Sequence, residues 1–198
     1  LLLIMQAICL SKRWVLCLSS MPKHLKKISE EVIHKNPYWT YKHDTYEKPN
    51  GEPGDYWYGD CPDTVLIIPV LPDGKICLTL QHRYLTDRQS IEFASGKTLP
   101  DMTPVESAQR ELLEETGCSG ADWVNVGTFE ETTGFLRSTN HVFTVQVGRQ
   151  DTQQLDDTEE IELLYRRPDE LQEMIERGEI KDGPTLAAWS MVRHYFLA

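Results

Sequence analysis

Three glutamates stand close together in the chain, Glu111, Glu114 and Glu115. On a helix the i, i+3, i+4 spacing puts their carboxylates on one surface. Like charges so placed repel, and a cation offsets that cost. Hard divalent ions such as Mg²⁺ take oxygen ligands and keep waters that substrate phosphates can replace. Mn²⁺ would suit the same donors. Arg110, one turn before Glu114, can pair with it and orient that carboxylate. The plainer alternative is a solvated acidic face.

The stretch that carries them reads as a helix with its punctuation in place. Thr103 is an N-cap, Pro104 sits at the first helical position, and Glu106 completes a capping box. Gly117 closes the helix. Val105, Ala108, Leu112 and Thr116 form the inward face.

This arrangement resembles the Nudix box: a glycine, five residues, a glutamate, seven residues, then Arg-Glu-apolar-any-Glu-Glu-any-Gly-apolar. Gly96, Arg110, Glu111, Leu112, Glu114, Glu115, Gly117 and Cys118 fit at the family's spacing. The first glutamate of the box falls on Met102, and Glu106, four residues later, does not replace it. The strand end Gln81-His82-Arg83-Tyr84 and the entry Ser90 to Gly96 look like the ADP-ribose pyrophosphatase branch. So do the acidic loop Leu155 to Ile161 and the segment Pro168 to Trp189. Where that branch carries Ser-Pro-Gly after the box, this chain has Thr132-Thr133-Gly134.

The resemblance implies a Nudix pyrophosphohydrolase with a mixed-sheet α/β/α sandwich and a small N-terminal aromatic hairpin. It implies Mg²⁺-dependent cleavage of ADP-ribose or an ADP-sugar into AMP and a sugar phosphate. Other nucleotide sugars, dinucleotides, or a ligand-binding module without turnover are the alternatives. Glu111, Glu114, Glu115 and the Ser95 carbonyl would hold metal, and Glu114 and Glu115 would also count as catalytic. Asp157 or Glu159, from the acidic loop, would supply the general base, with Glu160 in reserve. Arg83 would bind phosphate or a terminal ribose, since a planar guanidinium suits those oxygens; its plainer role is a surface ion pair. Glu92 would hold a substrate hydroxyl or support the metal site.

Around this stretch, the apolar run Val65 to Leu71 reads as a buried strand and Asp73-Gly74 as a turn into the next strand, Lys75 to Leu80. Ser90 to Ala94, Trp123 to Phe129, His141 to Val147 and Ile161 to Tyr165 read as further strands. Pro168 to Glu176 and Pro184 to Leu197 read as amphipathic helices. Ahead of this domain (residues 61–198), residues 22–36 read as a short basic helix on Leu25, Ile28 and Val32. Residues 38–60 read as an aromatic hairpin turning at Asn50-Gly51, a packing or homodimer surface. Residues 1–20 are foreign in composition and read as an upstream extension outside the fold.

At 198 residues with 40% hydrophobic content, one main domain with a sizeable core is expected. The formal net charge of −11 argues against nucleic acid or an anionic membrane as partner. The odd number of cysteines, 5, widely spaced, points to thiols in a reducing compartment such as the cytoplasm. His82, His141 and His194 lack ligand spacing and read as structural.

Overall fold

The computed structural model describes residues 24–197, so the extension expected over residues 1–20 lies outside the described residues. Two compact units divide the described residues: 24–62 with Thr132–Ser138 form the first, and Asp63–Glu131 with 139–197 the second.

The first unit is an antiparallel meander. β1 (Lys26–Lys35) pairs with β2 (Thr40–Glu47), and β2 with β3 (Pro53–Asp60). The hairpin expected over 38–60 is present, with Gly51 at φ +89 in its turn, a conformation glycine adopts without steric cost. The basic helix expected over 22–36 is not. Those residues form β1, held to β2 by a ladder from Lys26–Glu47 to Lys35–Thr40. Irregularities between Lys27 and Ser29 and between Val32 and His34 break the two-residue alternation that marks a strand. Ile28, at the first irregularity, and Val32, just before the second, are four residues apart, an interval that suits one face of a helix as well as one face of a strand. Cross-strand charge also favours the pairing, with Lys27 on Asp44 at 2.9 Å and Lys42 on Glu30 at 2.8 Å. The turn-rich stretch 130–140 supplies a two-residue strand, β9 (Leu136–Arg137), parallel to β3.

The second unit is built on a seven-stranded mixed sheet. Its strands are β4 (Thr64–Val70), β5 (Ile76–Arg83), β6 (Arg88–Glu92), β7 (Ala94–Lys97), β8 (Cys118–Phe129), β10 (Asn140–Gln150) and β11 (Ile161–Arg166). The main order is β11-β5-β4-β10-β8, with β6 on β5 and β7 on β4; β10 and β4 run parallel. β4 is buried along both faces, which is why it reads as an unbroken apolar run. Its residues alternate between two cores. Val65 and Ile67 pack with Ala108 and Leu112 of α1 (Pro104–Thr116). Leu66 and Ile68 pack with Leu171 and Met174 of α2 (Pro168–Glu176) and with Ala188, Trp189 and Val192 of α3 (Gly183–Phe196). Helices therefore cover both faces, the α/β/α sandwich expected. Among the described residues no helix is long and apolar enough to cross a membrane.

Candidate active site

α1 forms where its punctuation required. The Thr103 side chain accepts from the Glu106 N–H, Glu106 accepts from the Thr103 N–H at 2.7 Å, and Gly117 takes φ +69 at the C-terminus. Glu106 is thereby committed to the cap. Met102, at the position of the box's first glutamate, is partly exposed. Burial of Ala108 and Leu112 fixes the rotation of the helix and carries Glu111 and Glu115 toward β7.

Both of those carboxyls are buried, Glu111 at 9% and Glu115 at 6% exposure. Gly96 makes room for the first: a Cβ there would stand 2.0 Å from the Glu111 carboxyl carbon. The second accepts the Ser95 N–H on Oε2 at 3.1 Å. Arg110 binds the Glu111 carboxylate through Nη2 and Glu114 Oε2 through Nη1, the latter at 2.6 Å. Its Nε is buried without a partner.

Burial raises the Glu111 carboxyl to about 7, opposed by Arg110 and reinforced by the charges of Glu114, Glu159 and Asp156. Burial raises Glu115 to about 8, opposed by the Ser95 N–H and reinforced by Glu111 and Glu159. Two acids on one turn are thus disfavoured as anions by low dielectric and by each other. An all-oxygen donor set of this kind fits a hard divalent ion in type. In the conformation described, Arg110 supplies the neutralising charge, and no group of three acidic, thiol or imidazole side chains is poised to hold a metal among the described residues.

The acidic loop is tied to the end of α1. Asp151 N–H donates to the Gly117 carbonyl, Gln154 N–H to that of Glu114, and Gln153 Nε2 to that of Glu115 at 2.6 Å. A Cβ on Gly117 would meet the Asp151 carbonyl oxygen at 2.1 Å, so glycine is required twice, by conformation and by space. Glu159 and Asp157 both lie exposed in this loop. Glu159 accepts the Asp156 N–H at 3.1 Å, and its charge is felt by both buried glutamates.

Arg83 and Glu92 meet in a two-point ion pair, Nε to Oε1 at 2.8 Å and Nη2 to Oε2 at 2.5 Å. Glu92 is buried while Arg83 is half-exposed. They line a cleft of ≈ 210 Å³ that also includes Ser95, Gly96, Asn140 and Asp182. The Arg83 charge reaches Glu115, so this cleft adjoins the carboxylates of α1. Sequence reasoning missed Asn140 and Asp182. Asp182 was readable only as the cap of α3, a role it fills by accepting the Thr185 N–H at 2.8 Å.

A NUDIX domain model matches residues 62–189. The chain belongs to the NUDIX family. The curated ADP-ribose pyrophosphatase of Bacillus subtilis (strain 168) is 28% identical over 171 residues, spanning 83% of this chain and 92% of the relative. The methanol dehydrogenase activator of Bacillus methanolicus is 27% identical over 167 residues, spanning 82% and 89%. A crystal structure of an ADP compounds hydrolase superposes with TM-score 0.77 at 19% identity, over 89% of this chain and 96% of that one. The sandwich is thus a Nudix fold, and the chain is a Nudix pyrophosphohydrolase similar to ADP-ribose pyrophosphatases.

Proposed function

We propose that this enzyme hydrolyses the diphosphate linkage of a nucleoside diphosphate derivative, with ADP-ribose or an ADP-sugar giving AMP and a sugar phosphate. The observation that carries it is the pair of buried carboxyls, Glu111 and Glu115, seated on one helical turn against Gly96 and Ser95. The two curated relatives matched over most of their length include an ADP-ribose pyrophosphatase, which supports the substrate class.

Glu111, Glu115, Glu114 and the Ser95 carbonyl would hold Mg²⁺, or Mn²⁺ in its place. A bound divalent ion supplies neutralisation of the diphosphate oxygens and a lower barrier to deprotonating water. Glu159 is our choice of general base over Asp157, because its charge already couples to both buried acids. Water oxygen attacks one phosphorus, its proton passes to the Glu159 carboxylate, and the bridging P–O bond breaks with its electrons leaving on the departing phosphate. Arg110 keeps Glu111 and Glu114 oriented, and Arg83 with Glu92 shapes the adjoining cleft.

We also propose a homodimer through the N-terminal unit, in a reducing, cytoplasmic setting. β1 is exposed along its whole length, with Ile28, Val32 and Ile33 open to solvent, and it pairs with β2 alone among the described strands. Among the described residues, the buried Cys77 and Cys118 form no disulfide. Light scattering of the full chain tests the dimer.

The test of the reaction is a panel of nucleoside diphosphate compounds with Mg²⁺ or Mn²⁺, scoring released monophosphate, with Glu115→Gln as control. Release by wild type and its loss in the variant are expected. A second reading, a binding module without turnover, rests on Met102 in the box. Equal silence of both proteins, with ligand still bound, would establish it.

A further inference from the structure

Asn140 opens β10 and is 2% exposed. Its Oδ1 accepts from the Thr64 hydroxyl, its neighbour across the parallel β10–β4 ladder. Its Nδ2 has no partner; among the described residues, the only other buried side-chain nitrogen or oxygen in that condition is Arg110 Nε. An amide N–H kept from water and left unpaired costs stability. Asn140 nonetheless lines the cleft that holds Arg83 and Glu92.

The ladders show why it reaches there. Asn140 pairs with Thr64, and Thr64 with Lys97 on β7; two residues along, Val142, Leu66 and Ser95 form the next row. Residues two apart share a face. Asn140 therefore stands one row from Ser95, whose N–H holds Glu115.

The chemistry of the cleft sets what the amide can meet. Glu92, Asp182 and Glu131 line it against Arg83 and Lys97, and Arg83 is already engaged in its two-point pair with Glu92. A wall acidic on balance repels phosphate. Carboxylates that accept and an amide that donates suit a neutral polyhydroxyl group instead.

We propose that Asn140 is a specificity-determining residue whose Nδ2 donates to a hydroxyl of the non-nucleotide sugar, in a cleft completed by Glu92 and Asp182. This rests on the hydrolase reading for the identity of the ligand, and it assigns the sugar end to this side of the sheet. Selection by such a donor acts against analogues that lack the hydroxyl, because the amide then stays unpaired.

The test compares ADP-ribose with the ethyl ester of ADP, which keeps the adenosine ribose but has no hydroxyl beyond the diphosphate, by calorimetry in EDTA and by kcat/KM with Mg²⁺. Asn140→Asp keeps the side-chain shape and the acceptor for Thr64 while removing the donor. Asn140→Ala removes both and is checked by its melting temperature. Wild type should favour ADP-ribose. Either variant should weaken ADP-ribose binding by about tenfold, through KM. Asn140→Ala should leave the ethyl ester within about twofold, and Asn140→Asp, whose added charge acts on both diphosphates, should still cost ADP-ribose more than the ethyl ester. Equal losses on both ligands, no loss on either, or a wild type that does not distinguish them would overturn the assignment. Tight ADP-ribose binding without released AMP would sink the hydrolase reading instead, and the binding comparison would still decide the role of Asn140.

Discussion

Glu115→Gln separates stability from catalysis in a way the geometry makes quantitative. The carboxyl is 6% exposed and raised from 4.5 to about 8, chiefly by burial. Its folded value lies above its unfolded one, so between those two values the folded chain holds a proton that the unfolded chain has released. Stability contributed by this group is full below about pH 4.5 and falls as pH rises toward 8. Each pH unit in that window costs about 1.4 kcal/mol, so the group opposes folding by roughly 3 kcal/mol at pH 7 in the metal-free protein. Glutamine keeps the acceptor for Ser95 N–H and cannot ionise. It also leaves an amide donor to be satisfied, which sets a constant offset of about 1 kcal/mol against it. Urea unfolding at pH 5 and pH 8 should therefore show the variant near or below wild type at the lower pH. At the higher pH it should be more stable by a few kcal/mol. Saturating Mg²⁺ should stabilise wild type more at pH 8 than at pH 5, since binding requires the deprotonated acids. A difference between the proteins that does not change with pH would refute the reasoning, because it would mean that Glu115 is not desolvated as the fold requires.

Gly96→Ala places a methyl 2.0 Å from the Glu111 carboxyl carbon, so that side chain must swing away. We expect kcat to fall about 100-fold, as a displacement near 1 Å does at a positioned group, with the melting temperature within a few degrees of wild type. Gly117→Ala meets both a φ of +69 and the Asp151 carbonyl at 2.1 Å. Backbone cannot yield as a side chain does, and chemical denaturation should show a loss of about 2 kcal/mol or more, together with looser attachment of the acidic loop by hydrogen exchange. Glu159→Gln should lower kcat by about 100-fold and flatten the pH–rate profile, while Asp157→Asn should change kcat by less than about threefold; the reverse order would transfer the base to Asp157.

α1 was legible because every signal in it is local. Thr103, Pro104, Glu106 and Gly117 each specify their own backbone, and Ala108 and Leu112 fix the rotation that points Glu111 and Glu115 at β7. β4 was legible for a related reason: burial on both faces leaves no polar residue to interrupt the run from Val65 to Ile68. β1 was not, since the spacing of Leu25, Ile28 and Val32 suits a helix face, and only the partner strand β2 with its irregular register decides otherwise. Arg83 and Glu92 lie on the antiparallel strands β5 and β6 but do not face each other in register, so both could be named as candidates from the sequence without showing that each is the other's partner. Asn140 was out of reach for a deeper reason. An unpaired amide is a statement about every neighbour it lacks, and those neighbours come from β4, β7 and the start of α3.

Arg110 ties the charge of the site to its chemistry. In a chain of net charge −11, one guanidinium serves two of the three box glutamates, and does so with its Nε buried and unpaired. That is a costly way to neutralise a carboxylate pair on a surface, where exposed ion pairs contribute little. It makes sense where the carboxylates must be kept aligned but not consumed. Glu115, the most buried of the three, receives one backbone N–H and no guanidinium, so it is the acid with the most to gain from a divalent ion. Glu115→Gln therefore probes the one member of the cluster whose electrostatic demand the protein itself leaves unmet.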